Sequence, residues 1–334
     1  MRTSRPLVCI KVDVDTLEGY LKGVPRLLEI LGGLEIRATF CVPMGPDRSG
    51  RAIRRAFTRP GFLAKMLRTR AVSMYGWRTM LYGTLLPGPM IAAARPQLLE
   101  QIVSAGHELI PHGWDHVAWH DNLSKWGLER TREELRRACR GMEAHTGRPC
   151  VAFAAPGWQA TANSLRAEEE LGLRYASDTR GWCPFFPLVG GQAIGVLQIP
   201  TTLPTLDELI GRPDLQDGGL MQHVLALIQQ PPRPSGPLSA TAGNETRAGG
   251  GAVESSTNAH VFTIHAEVEG RGWAQWLGGL LRRLRAASAE ILTLADIYEG
   301  AAGGARPVVS RATDRELPGR AGRVSCQGGA QAEL

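Results

Sequence analysis

The chain has few lysines, no paired cysteines and no long apolar run. Four of its 38 basic residues are lysines. Arginine supplies the rest, so a single arginine says little and only clustering counts. Six cysteines are scattered over 334 residues with no C-x-x-C pair. That excludes a small disulfide scaffold and reads as a cytosolic chain of reduced thiols. The most apolar stretch, 79–94, is 16 residues long and is broken by Gly83, Pro87, Gly88 and Pro89. A membrane-spanning helix needs about 20 apolar residues. Arg2 and Arg5 precede Leu7–Ile10, but Lys11 and Asp13 interrupt any apolar signal core, so no export signal is read. There is no G-x-S-x-G nucleophile elbow and no phosphate-binding P-loop.

What remains is ordinary globular composition, 43% hydrophobic and 21% charged. Short apolar runs at Leu7–Val12, Ala38–Val42, Glu108–Ile110, Val151–Ala155, Tyr175–Ser177, Val196–Ile199, Val261–Ile264 and Ile291–Leu294 read as strands. Helical spacing fills Gly23–Gly32, Gln97–Ala105, Leu128–His145, Ala162–Leu171, Leu220–Gln229 and Trp273–Ala287. The alternation predicts an α/β fold with a parallel sheet or barrel. Three segments stand outside it. Residues 231–259, rich in Pro, Gly, Ser and Thr, read as a flexible insert, and 300–334 as a disordered tail. Segment 43–96 carries ten basic side chains and one acid, a net +9 in a chain of +6 overall.

The chemistry-bearing residues fall at strand ends, where α/β folds gather their sites. Asp13 and Asp15 follow the first strand, two residues apart and so on one face. Two such carboxylates call for a cation or a shared proton, unless both are solvated turn acids. His112 and His116 follow the third strand in P-H-G-W-D-H. At i, i+4 they can share a helical face and grip one metal ion, with His120 as a competing ligand. Adding Asp15 gives two histidines and one carboxylate, a pattern for a catalytic divalent ion with open positions. Asp178 ends the Tyr175–Ser177 run and His265 ends the Val261–Ile264 run.

In this order the motifs resemble the polysaccharide deacetylase family. D-V-D-T at 13–16, G-V-P-R-L-L at 23–28, Y-G-W at 75–77, H-G-W-D-H at 112–116, P-T-T-L-P-T at 200–205 and T-I-H-A-E-V-E-G at 263–270 are similar, more narrowly, to its 4-deoxy-4-formamido-L-arabinose-phosphoundecaprenol deformylases. The resemblance spans about residues 5–299 apart from 231–259. It implies a deformed (β/α) barrel and a metal-dependent amide hydrolase, with a basic, partly apolar insertion after the second strand. By the same carry-over, Asp13 is the general base. Asp15, His112 and His116 bind one divalent metal (Zn, Co, Mn or Fe), His265 is the general acid, and Asp178 tunes His265. Many members have an arginine where this chain has Ala154, so support for Asp13 must come from elsewhere, for example Arg180.

The implied partner is a polyprenyl-phosphate-linked amino sugar. Segment 43–96, where basic residues mix with Phe57, Phe62, Tyr75 and Trp77, suits an anionic membrane surface, peripheral to the cytoplasmic face of a bacterial inner membrane. Trp158 and Trp114 are candidate walls of a small acyl pocket. Competing readings are a deacetylase of another N-acylated sugar, an inactive metal-binding barrel, and nucleic-acid binding through the basic segment. The last lacks any recognition motif, so no nucleic-acid partner is expected.

Overall fold

A computed structural model of the chain describes residues 5–53, 79–215, 219–233, 259–304, 307–320 and 322–330. Strand β1 (Leu7–Asp13) is its centre. Val8, Ile10 and Val12 pack outward into a core shared with the helices, while Cys9 belongs to an apolar cluster lining the interior. That alternation is the two-residue repeat of a strand. β1 pairs in parallel with β2 (Thr39–Val42), β9 (His260–His265) and β10 (Glu290–Leu292), and β2 pairs with β3 (Glu108–Pro111). A second parallel set joins β4 (Ala152–Phe153), β5 (Tyr175–Ala176) and β8 (Leu197–Gln198). β6 (Phe185–Val189) and β7 (Gln192–Ala193) form an antiparallel edge on it.

Two thin seams close the barrel. The Ala154 amide donates to the Pro111 carbonyl at 3.1 Å, and the Thr202 amide to the Val261 carbonyl at 3.1 Å. Strands in the order β1-β2-β3-β4-β5-β8-β9 thus run round the barrel, which is deformed because backbone bonds at the seams are few. Helices α1 (Val24–Gly32), α2 (Gln97–Ser104), α3 (His116–Asn122), α4 (Leu128–Thr146), α5 (Ala162–Glu170), α6 (Leu206–Leu209), α7 (Gly219–Ile228) and α8 (Ala274–Ala286) connect the strands. Helix α9 (Leu294–Ala302) puts Leu294, Ile297 and Ala301 into the interior cluster beside Cys9 and Val261.

The tail departs from expectation. Within 300–334, β11 (Val308–Glu316) and β12 (Arg323–Ala330) form an antiparallel hairpin, and β11 extends the second sheet by pairing in parallel with β6. Val324 and Cys326 bury themselves against Trp158. The hairpin's few large apolar residues carry little periodic signal, yet its backbone bonds and five buried side chains, Ser310, Val324, Ser325, Cys326 and Gln327, order it. The folded unit therefore runs past 299. Most of the 231–259 insert, and residues 54–78 of the basic segment, lie outside the described residues.

Candidate active site

Strand register assembles the site. Asp13, the last residue of β1, sits opposite His265 at the end of β9 and Cys41 of β2. Val42 of β2 sits opposite Pro111 of β3, and its carbonyl accepts the His112 amide at 2.9 Å. Parallel strands bring these C-terminal ends to one rim. Asp15 lies two residues beyond Asp13. Its amide donates to Glu267 Oε1 at 3.0 Å, and the Thr16 amide and hydroxyl donate to the same oxygen at 2.8 Å.

The two histidines do not share a helix. His112 follows β3, Gly113 turns the chain with φ +79°, and His116 is the first residue of α3. The Asp115 carboxylate caps α3 by accepting the Ala118 amide at 2.9 Å, and Arg48 holds its other oxygen at 2.6 Å. Strand end plus helix start achieves what one helical face was expected to do. His112 Nε2 and His116 Nε2 face Asp15 Oδ1 at 3.5 and 3.1 Å. Ligand atoms of Asp15, His112 and His116 lie within 4.8 Å of one another. Both Nε2 atoms are buried with no hydrogen-bond partner. The other ring nitrogen of His112, Nδ1, lies 2.8 Å from the Ala154 carbonyl. A proton there leaves Nε2 bare, as a metal ligand requires. The donor set therefore fits a divalent cation. His120 lies outside it, beside Asp121 at 3.6 Å. Burial would raise the Asp15 carboxyl, but His116 and His112 hold it well below the ordinary range.

Asp13 has a partner on its own strand. Lys11, one strand repeat earlier on the same face, is fully buried, and its ammonium meets both Asp13 oxygens at 2.6 and 2.7 Å. Burial pushes the Asp13 carboxyl up, while Lys11, then His112 and His265, bring it below its usual value. Burial pushes the Lys11 ammonium down, and Asp13 more than restores it. Both shifts describe an ion pair. Arg180, the expected substitute for the arginine absent at Ala154, is engaged elsewhere, with Glu208 at 2.8 Å and the Leu203 carbonyl at 3.0 Å.

Asp178 is not brought to His265. It is fully buried and accepts the Ala155 amide at 2.7 Å and the Gln198 side chain at 3.0 Å. Burial raises its carboxyl. The carboxylate that faces His265 is Asp207, at 3.9 Å from Nδ1. It lies in P-T-T-L-P-T-L-D, whose last residue could have been weighed as a carboxylate following a strand. Trp158 sits at the base of the site, 2% exposed, its indole donating to Thr201 Oγ1 at 3.0 Å and its ring edge-on to His265 at 6.3 Å. Its φ of +54° is rare for a bulky residue. Trp114 is only partly buried and lies under Arg137, 4.4 Å from its guanidinium.

A barrel with two histidines and a carboxylate at the C-terminal rim of its strands, next to a buried carboxylate and a further histidine, is the architecture of a metal-dependent hydrolase. The polysaccharide deacetylase model matches residues 3–176, and the chain belongs to that family. It is 34% identical over 292 residues, 87% of this chain and 86% of the relative, to a "Probable 4-deoxy-4-formamido-L-arabinose-phosphoundecaprenol deformylase" of Shewanella sediminis. A protein of the same description from Wigglesworthia glossinidia brevipalpis is 30% identical, covering 75% of this chain and 79% of its own. Among solved structures, an allantoinase superposes with a TM-score of 0.55 at 17% identity, over 87% of this chain and 75% of that one, a likeness of fold alone.

Proposed function

We propose that this amide hydrolase removes the formyl group from 4-deoxy-4-formamido-L-arabinose carried on undecaprenyl phosphate. Products are formate and the 4-amino sugar lipid, which serves lipid A modification and resistance to cationic peptides such as polymyxin. The observation that carries it is the site itself, Asp13 and His265 flanking the Asp15–His112–His116 triad in a chain 34% identical to a protein described as that deformylase.

Asp15, His112 and His116 would hold the ion, which would supply a Lewis acid for the formyl oxygen. Asp13 takes the proton of the attacking water, kept ionised and aimed by Lys11. His265 donates a proton to the departing amine nitrogen, without which the C–N bond does not break, and the Asp207 carboxylate, 3.9 Å from its Nδ1, favours the charged ring electrostatically. Trp158 is buried beside His265 and lines the site there.

The described ends of the basic segment support docking on an anionic bilayer. Leu85, Leu86 and Met90 are exposed apolar side chains there, and Arg48 ties the segment to the metal loop through Asp115. Among the described residues no helix is long and apolar enough to cross a membrane. Peripheral attachment at the cytoplasmic face of the inner membrane follows from this reading.

The test is formate release from formamido-arabinose polyprenyl phosphate against the acetamido analogue, with a chelator control. Release from the formamide, loss with chelator and little acetate support the proposal. Preferred acetate release would make the enzyme a deacetylase instead.

A further inference from the structure

We propose that Arg320, carried on the turn between β11 and β12, is the phosphate-binding residue of this site and takes the anionic diester joining the sugar to the lipid. The assignment rests on the lipid-phosphate reading above and adds to it the group that recognises the phosphate.

The turn is built to deliver this side chain. Gly319 has φ +79°, and a Cβ there would lie 2.4 Å from the Glu208 carbonyl, so the turn is pressed against the backbone of α6. Arg320 then lies over the Trp158 ring at 4.4 Å, on the same indole whose edge meets His265. Its side chain is 10% exposed. Through that indole Arg320 stands on the side of the site that holds His265.

Its own partners do not use it up. Nη2 donates to the Gly157 carbonyl at 3.3 Å. Nη1 stands 3.7 Å from Glu208, a carboxylate that Arg180 already holds with both its Nη atoms at 2.8 and 3.3 Å. Two guanidiniums thus share this carboxylate, and Arg320 holds only its longer contact. Arg320 Nε is buried with no hydrogen-bond partner. Burying an arginine with an unused donor is costly unless something fills it. The ring contact uses the face of the guanidinium, and its Nε edge is left for an acceptor such as a phosphodiester oxygen. A pyranose bearing an amide at C4 and a phosphate at C1 offers the two groups from opposite ends of one ring. A cation over the Trp158 ring, which also meets His265, is placed to take the second when the first is at the metal triad.

The experiment compares wild type, R320Q and R320K on a short-chain polyprenyl phosphodiester of the formamido sugar and on its phosphate-free methyl glycoside. R320Q is expected to raise KM for the phosphodiester at least tenfold, leave kcat within a few-fold, and leave the methyl glycoside unchanged. R320K, which keeps charge without the fork, falls between, and it reads the same ratio should R320Q fail to fold. Calorimetric titration of both compounds gives the ratio of affinities without turnover. Equal losses on both compounds, or an unchanged ratio, would overturn the assignment. Absence of formate release by wild type from either compound would instead sink the deformylase reading, with the affinity ratio still reporting on Arg320.

Discussion

Lys11 and Asp13 form an ion pair inside the barrel, and removing one partner of such a pair strands the other charge. Breaking a buried pair this way costs about 3–5 kcal/mol. Lys11→Met is therefore expected to lower the melting temperature and to cut formate release by on the order of 10²-fold, the scale of a misplaced general base. Lys11→Arg should recover much of both, and metal stoichiometry should match wild type in each. Wild-type turnover in Lys11→Met would refute the positioning role. By contrast, Asp15→Ala, His112→Ala and His116→Ala should each lose bound metal, read by elemental analysis, whereas His120→Ala should keep it. The ligand candidates were legible because strand-end histidines and carboxylates are rare and specific in spacing. Lys11 was not, because a lysine inside an apolar strand reads as an interruption until register shows what it faces. Asp178 misled for the opposite reason, as its position after a strand is right but its oxygens are spent on Ala155 and Gln198.

Two π-helical turns, Gly19–Gly23 and Val268–Gly272, lock the loops that carry Asp15 and follow His265. Such turns are common near functional sites. A Cβ on Gly23 would lie 2.1 Å from the Ala266 carbonyl, and one on Gly19 would lie 2.0 Å from Glu267 Oε1, the oxygen that holds the Asp15 amide. Gly23→Ala is expected to destabilise by about 1–3 kcal/mol or more, since backbone cannot swing aside. Gly19→Ala should in addition weaken metal binding by pushing Glu267 off Asp15. Gly32, the last residue of α1, has nothing within 4 Å of a built Cβ, so Gly32→Ala should be neutral or stabilising by up to about 1 kcal/mol. Chemical denaturation of the three variants checks the contrast. At this scale the helices were legible from periodicity almost to the residue, as with α4, predicted over Leu128–His145 and found over Leu128–Thr146. Helix α9 escaped although Thr293 and Asp296 form a capping box, because its nine residues follow a strand without a break. The β11–β12 hairpin escaped because its order comes from pairing with β6, which no local pattern announces.

Across the whole molecule, the hairpin is expected to be indispensable. Deleting 307–330 removes Arg320 together with Val324 and Cys326, which pack on Trp158. Formate release should be lost and the melting temperature lowered; an active, stable truncation would show that the packing matters little. The molecule should also favour mildly acid pH in its stability. Burial raises the Glu269 carboxyl to about 8 in the fold. In that interval the folded chain keeps a proton that the unfolded chain releases. Stability is then full below the unfolded value near 4.5 and declines as pH rises towards 8. Burial raises Glu267 to about 8 as well, so Glu269→Gln should lessen that decline without abolishing it in melting curves taken from pH 5 to 8. The central strand has a further consequence. β1 comes early in the chain, but its partners β9 and β10 come late, and the Glu267 oxygen that fixes Asp15 is 252 residues away in sequence. Closure of such a distant loop precedes any gain from the contacts it makes, so contact order is high and folding is slow. During synthesis the first strand must wait, its Lys11–Asp13 pair uncovered by β9, until almost the whole barrel has emerged. Nascent chains should therefore be metal-free and chaperone-dependent, and the ion should bind only in the last stage of refolding.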